Sequence, residues 1–317
     1  MPRILIVKTS SMGDVIHALP AISDLCAIDA SAQIDWVVES AFAGLVPLHP
    51  KVSRIIRSDV RKWKRAPFSS DVRQAVHSFK HALRECPYDY VVDLQGLLKS
   101  AWIAKQADGP VSGYDWGSIR EPLASVFYAK KYTVSKRIHA VERNRVLLAA
   151  ACGYTVPASR DYGLRFPDVT RRRLVVCCHA TSRDAKLWPE SNWRELIAFC
   201  ERESVEVGLP WGSAAEHARA ERLAAGFENA KVWPRDPFPV LARDLAAAAC
   251  VVGVDTGLVH LSCAVGSPTL GIYTATDPSL SGAWGGQAPA VNLGGIGQTP
   301  SVAQVIETIT PWLTKSR

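Results

Sequence analysis

The chain of 317 residues lacks any apolar run long enough to cross a bilayer as a helix, which needs about 20 consecutive apolar residues. Its hydrophobic fraction of 48% and charged fraction of 21% are the balance of a globular fold in water. There is no C-x-x-C pair. The eight cysteines, at 26, 86, 152, 177, 178, 200, 250 and 263, lie mostly in apolar stretches and read as reduced core residues, not as zinc ligands or a disulfide framework. No Asp-x-Asp pair occurs, so a common way of presenting a divalent ion to a sugar nucleotide is missing. No G-x-G-x-x-G follows the first strand-like run, which argues against a nicotinamide or flavin site there. No helix-turn-helix or aromatic RNA signature accompanies the basic residues, which argues against nucleic acid. Finally, Met1-Pro2-Arg3-Ile4 runs straight into an apolar stretch without the regions of a secretion signal, so a cytoplasmic place is expected.

What is present is an alternation of short apolar runs and amphipathic stretches. The first strand is expected over residues 3–8, where Ile4, Leu5, Ile6 and Val7 stand in a row, as suits a strand covered on both faces of a parallel sheet. A polar turn over 9–14 and a helix over 15–27 follow. Strands at 34–38, 55–56 and 90–94 and helices at 71–84, 97–106 and 140–151 continue the pattern. Residues 157–173, with Pro157, Gly163, Pro167 and three consecutive arginines, read as a linker. The pattern then restarts, with strands at 174–178, 205–209, near 231–233, 251–255 and 269–273. Helices at 191–201, 214–225, 240–248, 258–265 and 302–313 alternate with them. The simplest architecture is α/β: two doubly wound Rossmann-like domains, 1–165 and 166–317, facing each other across a cleft. The last helix, about 302–314, is left free to pack back on the N-terminal domain.

Charge is unevenly placed. Residues 1–166 hold 23 Lys and Arg against 15 Asp and Glu, and residues 167–317 hold 14 against 15. The positive field therefore belongs to the first half and points to an anionic partner there; a basic surface beside anionic lipid is one candidate. Residues 51–65 are its densest part, with seven basic residues and only Asp59 opposing them. They read as a solvated loop or as a grip on phosphates and carboxylates.

Four strand-to-helix turns carry possible chemistry, since ligands in open α/β sheets bind beyond the carboxyl ends of strands. In Lys8-Thr9-Ser10-Ser11-Met12-Gly13-Asp14, Asp14 stands at a helix start; from position alone a helix cap is the simpler reading. In His179-Ala180-Thr181-Ser182-Arg183-Asp184-Ala185-Lys186, two hydroxyls and a lysine can hold phosphate oxygens, or Lys186 is an ordinary loop lysine. In Gly253-Val254-Asp255-Thr256-Gly257-Leu258-Val259-His260, the helix start offers free N–H groups to an anion. His260 there is a core histidine or a ligand contact. After Leu209-Pro210-Trp211-Gly212, Glu216 can accept ribose hydroxyls or simply complement the helix N-terminus.

Taken together and in order, three of these segments carry a resemblance: the turn at 8–14 continued by Val15-Ile16-His17-Ala18-Leu19-Pro20, the turn at 179–186 continued by Leu187-Trp188-Pro189, and Val254 to Leu261. Arg120-Glu121-Pro122-Leu123-Ala124-Ser125 and His139-Ala140-Val141-Glu142-Arg143 fit the same pattern. The chain resembles the lipopolysaccharide heptosyltransferases of glycosyltransferase family 9, and its Ser-Ser-Met-Gly-Asp turn is similar to the type that adds the first heptose. The resemblance implies a GT-B fold. It implies an inverting, metal-independent transfer of L-glycero-D-manno-heptose from ADP-heptose to a Kdo residue of Kdo2-lipid A, in inner-core biosynthesis. It carries the catalytic base to Asp14 and donor contacts to Thr181, Ser182, Lys186, Glu216, Asp255, Thr256, Gly257 and His260. It carries acceptor contacts to Ser10, Gly13, Arg61, Lys62, Lys64, Arg65 and Arg120. It implies no cofactor beyond the co-substrate, no metal and no nucleic acid, and a peripheral place on the cytoplasmic face of the inner membrane. Asp236-Pro237 stands where the family pattern has Met-Ser near the adenine, and Ser182 replaces a threonine while keeping its hydroxyl. A related transferase adding a later heptose and a non-catalytic sugar-nucleotide binder remain as alternatives.

Overall fold

The computed structural model describes residues 1–314. They form two compact units, one from Met1 to Gly163 and the other from Leu164 onward.

The first unit is built on strands β1 (Arg3–Val7), β2 (Gln33–Glu39), β3 (Val52–Ser58), β4 (Tyr90–Asp93), β5 (Val111–Tyr114) and β6 (Lys130–Tyr132). All neighbours pair in parallel, in the order β3-β2-β1-β4-β5-β6. The chain winds outward from β1 to β3, returns to the middle and winds outward again to β6. The reversal therefore falls between β1 and β4, the place where open α/β sheets bind their ligands. Ile4 to Val7 are essentially without solvent contact, as the unbroken apolar run requires.

The helix expected over 15–27 is two helices, Met12–Ile16 and Leu19–Ile28. Pro20 lies in the first turn of the second, where its missing N–H would have no partner within the helix anyway. This second helix packs against Ala140–Cys152. The pair is tied by Arg145 Nε, 2.7 Å from Asp24 Oδ2 and buried with it.

The second unit repeats the plan with β7 (Arg172–Cys178), β8 (Glu206–Leu209), β9 (Ala230–Val232), β10 (Ala248–Val254), β11 (Thr269–Tyr273) and β12 (Ala290–Gly294). Its order is β12-β11-β10-β7-β8-β9, again all parallel. Its reversal falls between β7 and β10. Each half is thus a doubly wound α/β unit of the same strand order. Two residues near the β7 end, Trp188 and Trp193, meet edge to face with ring centres 5.0 Å apart.

The last helix, Val302–Thr314, lays Val302, Val305, Ile309 and Leu313 into the core of this second unit. Spaced three, four and four residues apart, they form one helical face, and that apolar stripe lies in the core of the second unit. No described helix is long and apolar enough to cross a membrane.

Candidate active site

At the end of β1 the chain continues as Lys8-Thr9-Ser10 beside the end of β4. Gln95 Oε1 accepts from the main-chain N–H of Thr9 at 3.0 Å and of Ser10 at 3.2 Å. Gly96, at φ +71°, turns the β4 loop away in a conformation other residues rarely adopt. Lys8 is buried, and its Nζ donates to Leu94 O at 2.7 Å and to Asn144 Oδ1 at 3.3 Å. Burial lowers the Lys8 pKa, while the negative charges of Asp14 and Asp93 act against that shift. Asp93, wholly buried, accepts from Ser100 Oγ at 2.8 Å, Tyr128 Oη at 2.7 Å and the Gln95 and Gly96 amides. Burial raises its pKa and these bonds oppose the rise.

Asp14 is half-buried in the single turn that opens the helix Met12–Ile16. Its Oδ2 accepts from Ser11 N at 2.8 Å and Ser11 Oγ at 3.0 Å. The capping geometry is real, and it fixes the carboxylate while Oδ1 takes no part in those two bonds. Ser10 Oγ accepts from Lys99 Nζ at 2.9 Å, and Arg61 Nη2 approaches it at 3.4 Å. Both cations also reach Glu39 Oε1 at the end of β2, Lys99 at 2.9 Å and Arg61 at 3.3 Å. Of the acceptor residues expected from sequence, Ser10 and Gly13 share the turn that bears Asp14, and Arg61 reaches that turn at Ser10. Lys62 is paired instead with Asp59 at 3.4 Å, while Lys64 and Arg65 are exposed on the adjoining loop. Arg120 is exposed on the segment whose next amide, Glu121 N, donates to Gly96 O at 3.2 Å.

In the second unit, the ends of β7 and β10 are joined through Asp255. Thr181 Oγ1 donates to Asp255 O at 2.8 Å. Lys186 Nζ lies 2.6 Å from Asp255 Oδ2, and Thr276 Oγ1 donates to the same oxygen at 2.8 Å. The turn bearing Lys186, Asp184–Lys186, is held by Thr274 Oγ1 donating to Ala185 O at 2.8 Å. Thr256 is the extended cap of the helix Gly257–Ala264, so the first N–H groups of that helix lie beside Asp255. Gly253 lets this helix sit close, because a Cβ there would come within 2.5 Å of Val259 Cγ2 and 2.7 Å of Cys178 Cβ. His260 is buried one turn into the helix, and Ser182 is exposed on the β7 loop.

Glu216 takes no part in this network. Its Oε2 accepts from Gly212 N at 2.7 Å and Ser213 N at 3.1 Å, closing a capping box with Ser213. Asp236 is exposed.

Several partners were not legible as site residues: Lys99, Glu39 and Gln95 in the first unit, Thr274 and Thr276 in the second. Lys99 looks like any helix-borne lysine. Glu39 and Thr276 carry a weak signal, because the first ends a buried strand and the second stands just beyond one. Among the described residues no group of three or more His, Cys, Asp or Glu stands close enough to hold a metal ion.

Each unit therefore presents its chemistry at its own strand reversal, a positioned carboxylate among cations in one and a lysine with hydroxyls and a helix start in the other. Over 290 residues, covering 89% of this chain and 92% of the relative, the sequence is 45% identical to lipopolysaccharide heptosyltransferase 1 of Salmonella typhimurium. The structure is similar to that of the E. coli heptosyltransferase WaaC solved with ADP. The TM-score is 0.91 with 41% identity, covering 98% of this chain and 99% of the other. It is also similar to the same enzyme with ADP-2-deoxy-2-fluoro heptose, at a TM-score of 0.86 with 39% identity, covering 99% and 100%. A family model described as glycosyltransferase family 9 (heptosyltransferase) matches residues 76–308, and the chain belongs to that family.

Proposed function

We propose that this glycosyltransferase moves L-glycero-D-manno-heptose from ADP-heptose to a Kdo hydroxyl of Kdo2-lipid A, with inversion and without a metal ion. The observation that carries the reading is the bonded set of Lys186, Asp255, Thr181 and Thr276 at the reversal of the second sheet. It is a built cation with hydroxyls and a helix start beside it, which suits a diphosphate. The relatives solved with ADP and with a fluorinated ADP-heptose support the same ligand class.

In this mechanism Asp14 takes the proton from the acceptor hydroxyl as that oxygen bonds to the anomeric carbon. The carboxylate is a weak base, but the hydroxyl acidifies as the new bond forms, so the match improves toward the transition state. The C–O bond to ADP breaks on the opposite face, which gives inversion. ADP departs with an added negative charge. The Lys186 ammonium, the Thr181 and Ser182 hydroxyls and the N–H groups at Thr256-Gly257 stabilise it, a role that would otherwise fall to a metal. The cations Arg61, Lys62, Lys64, Arg65 and Arg120 face the carboxylates and phosphates of the acceptor. The same positive surface holds the protein to the anionic face of the inner membrane.

Asp14→Asn tests the base. An amide oxygen still accepts from Ser11, so the turn is retained. ADP-heptose affinity is expected to stay within about twofold and kcat to fall by roughly 10²–10⁴. Near-normal turnover would remove Asp14 from the chemistry. Acceptors of defined length, assayed by product mass, separate this first transfer from addition of a later heptose.

A further inference from the structure

The helix Ser70–Arg84 carries one apolar stripe, Val72, Val76, Phe79 and Leu83, at helical spacing. Its two ends meet different surroundings. Phe79 and Leu83 are buried beneath the sheet, and the Phe79 ring lies 5.1 Å from that of Trp63. Val72 and Val76 are only half covered. They face an open groove of about 430 Å³ whose other walls are Trp63, Pro67, Leu98 and Trp102. The stripe outruns the core, and the surplus lines a slot instead of being capped.

Two lysines stand in the lining, Lys64 and Lys99. Lys99 is shared with the neighbouring site, since its Nζ donates to Ser10 Oγ and to Glu39 Oε1 at 2.9 Å each. Lys99 thus links the groove to the loop that bears Asp14, and the lining changes from aromatic and aliphatic walls to ammonium groups on the way. That order is the order of an amphiphile with acyl chains at one end and anionic groups at the other. Arg61 and Arg65 add to the positive side, and no carboxylate lines the groove.

We propose that this groove receives an acyl chain of the acceptor lipid, so that the acceptor is held by its hydrocarbon as well as by its anionic sugars. The proposal deepens the acceptor assignment and rests on it. Lys64 and Lys99 meet the lipid phosphates while the chain lies between Trp63 and Trp102. Each methylene moved from water into such a slot raises affinity by roughly fourfold, so a few suffice to set the acceptor KM.

The test compares Kdo-bearing acceptors with and without their acyl chains, on the full-length protein and on Val76→Trp, which fills the slot from a half-exposed position. Val72→Asp serves as a second variant that makes the slot polar without adding bulk. For the acylated acceptor, both variants are expected to raise KM by roughly tenfold or more with little change in kcat. For the deacylated acceptor and for ADP-heptose, KM should be unchanged. Quenching of tryptophan emission by brominated laurate, below its micelle concentration, reads the groove without turnover. It should be reduced in Trp63→Phe and Trp102→Phe and abolished in Val76→Trp. Equal KM shifts for both acceptors, or no shift in either variant, would overturn the proposal. Transfer to the deacylated acceptor with no saturable quenching would overturn it while leaving the activity intact. Transfer to neither acceptor would overturn the acceptor assignment, and with it the identity of the chain bound.

Discussion

His179 directly follows β7 with no exposed surface, and burial, aided by the charge of Arg219, pushes its imidazole down to about 4. It is neutral in the folded protein at neutral pH. The unfolded chain takes up this proton near 6.5 and the folded chain only near 4. The associated stability is therefore complete above that window and is lost as pH falls through it. Denaturant midpoints should drop between pH 7 and pH 4.5 in the native sequence, and His179→Gln should flatten that slope; an unchanged slope would place the acid sensitivity elsewhere. The same burial that sets His179 also separates two lysines that look alike in sequence. Lys8 reads as the last residue of a strand, yet it is enclosed and bonded to Leu94 O. Lys99 reads as a helix-surface residue, yet it joins Ser10 to Glu39. Neither role is written locally, because the partners lie 60 or more positions away. Lys186 and Asp255 could be named as candidates because both lie on loops that follow a buried strand, and the end of such a strand is where an α/β sheet exposes chemistry.

Among the elements, the central strands announced themselves, and of the edge strands β3 and β9 were expected while β6 and β12 were not. Ile4–Val7 and the run ending at Val254 are unbroken apolar stretches because helices cover both faces of the sheet there. The strands β5, β6 and β12 went unread. Two of them carry glycine, and Lys130–Tyr132 has only three residues, two of them lysines, so none shows the run or the alternation that marks a strand. The close contact between β10 and the helix Gly257–Ala264 gives the prediction at this level. Gly253→Ala must move Val259 or Cys178 aside, at about 1–3 kcal/mol of stability. We expect a lower Tm and weaker ADP-heptose binding from displacement of the Thr256 cap, with acceptor KM unaltered. If donor binding were unchanged while Tm fell, the cap would not depend on that packing.

Over the whole molecule, the excess of cations in the first half has a use once the acceptor is a polyanion. Replacing Lys62, Lys64 and Arg65 together by Gln should raise acceptor KM several-fold and weaken its dependence on salt, because exposed charges act through a screened field. ADP-heptose KM should stay constant; a matching loss on the donor side would mean that the patch serves folding or both ligands. The two compact units divide between Gly163 and Leu164, and the repeated strand order explains why the two halves could be read by one rule. That order also decides where each ligand loop hangs. The ends of β1 and β4, and of β7 and β10, belong to strands flanked on both sides by neighbours, whereas β3, β6, β9 and β12 are held along one side only. Local opening begins where backbone partners are fewest. Warming or mild denaturant should therefore loosen the rims of each sheet first, and the machinery at its middle would be the last part to fall silent.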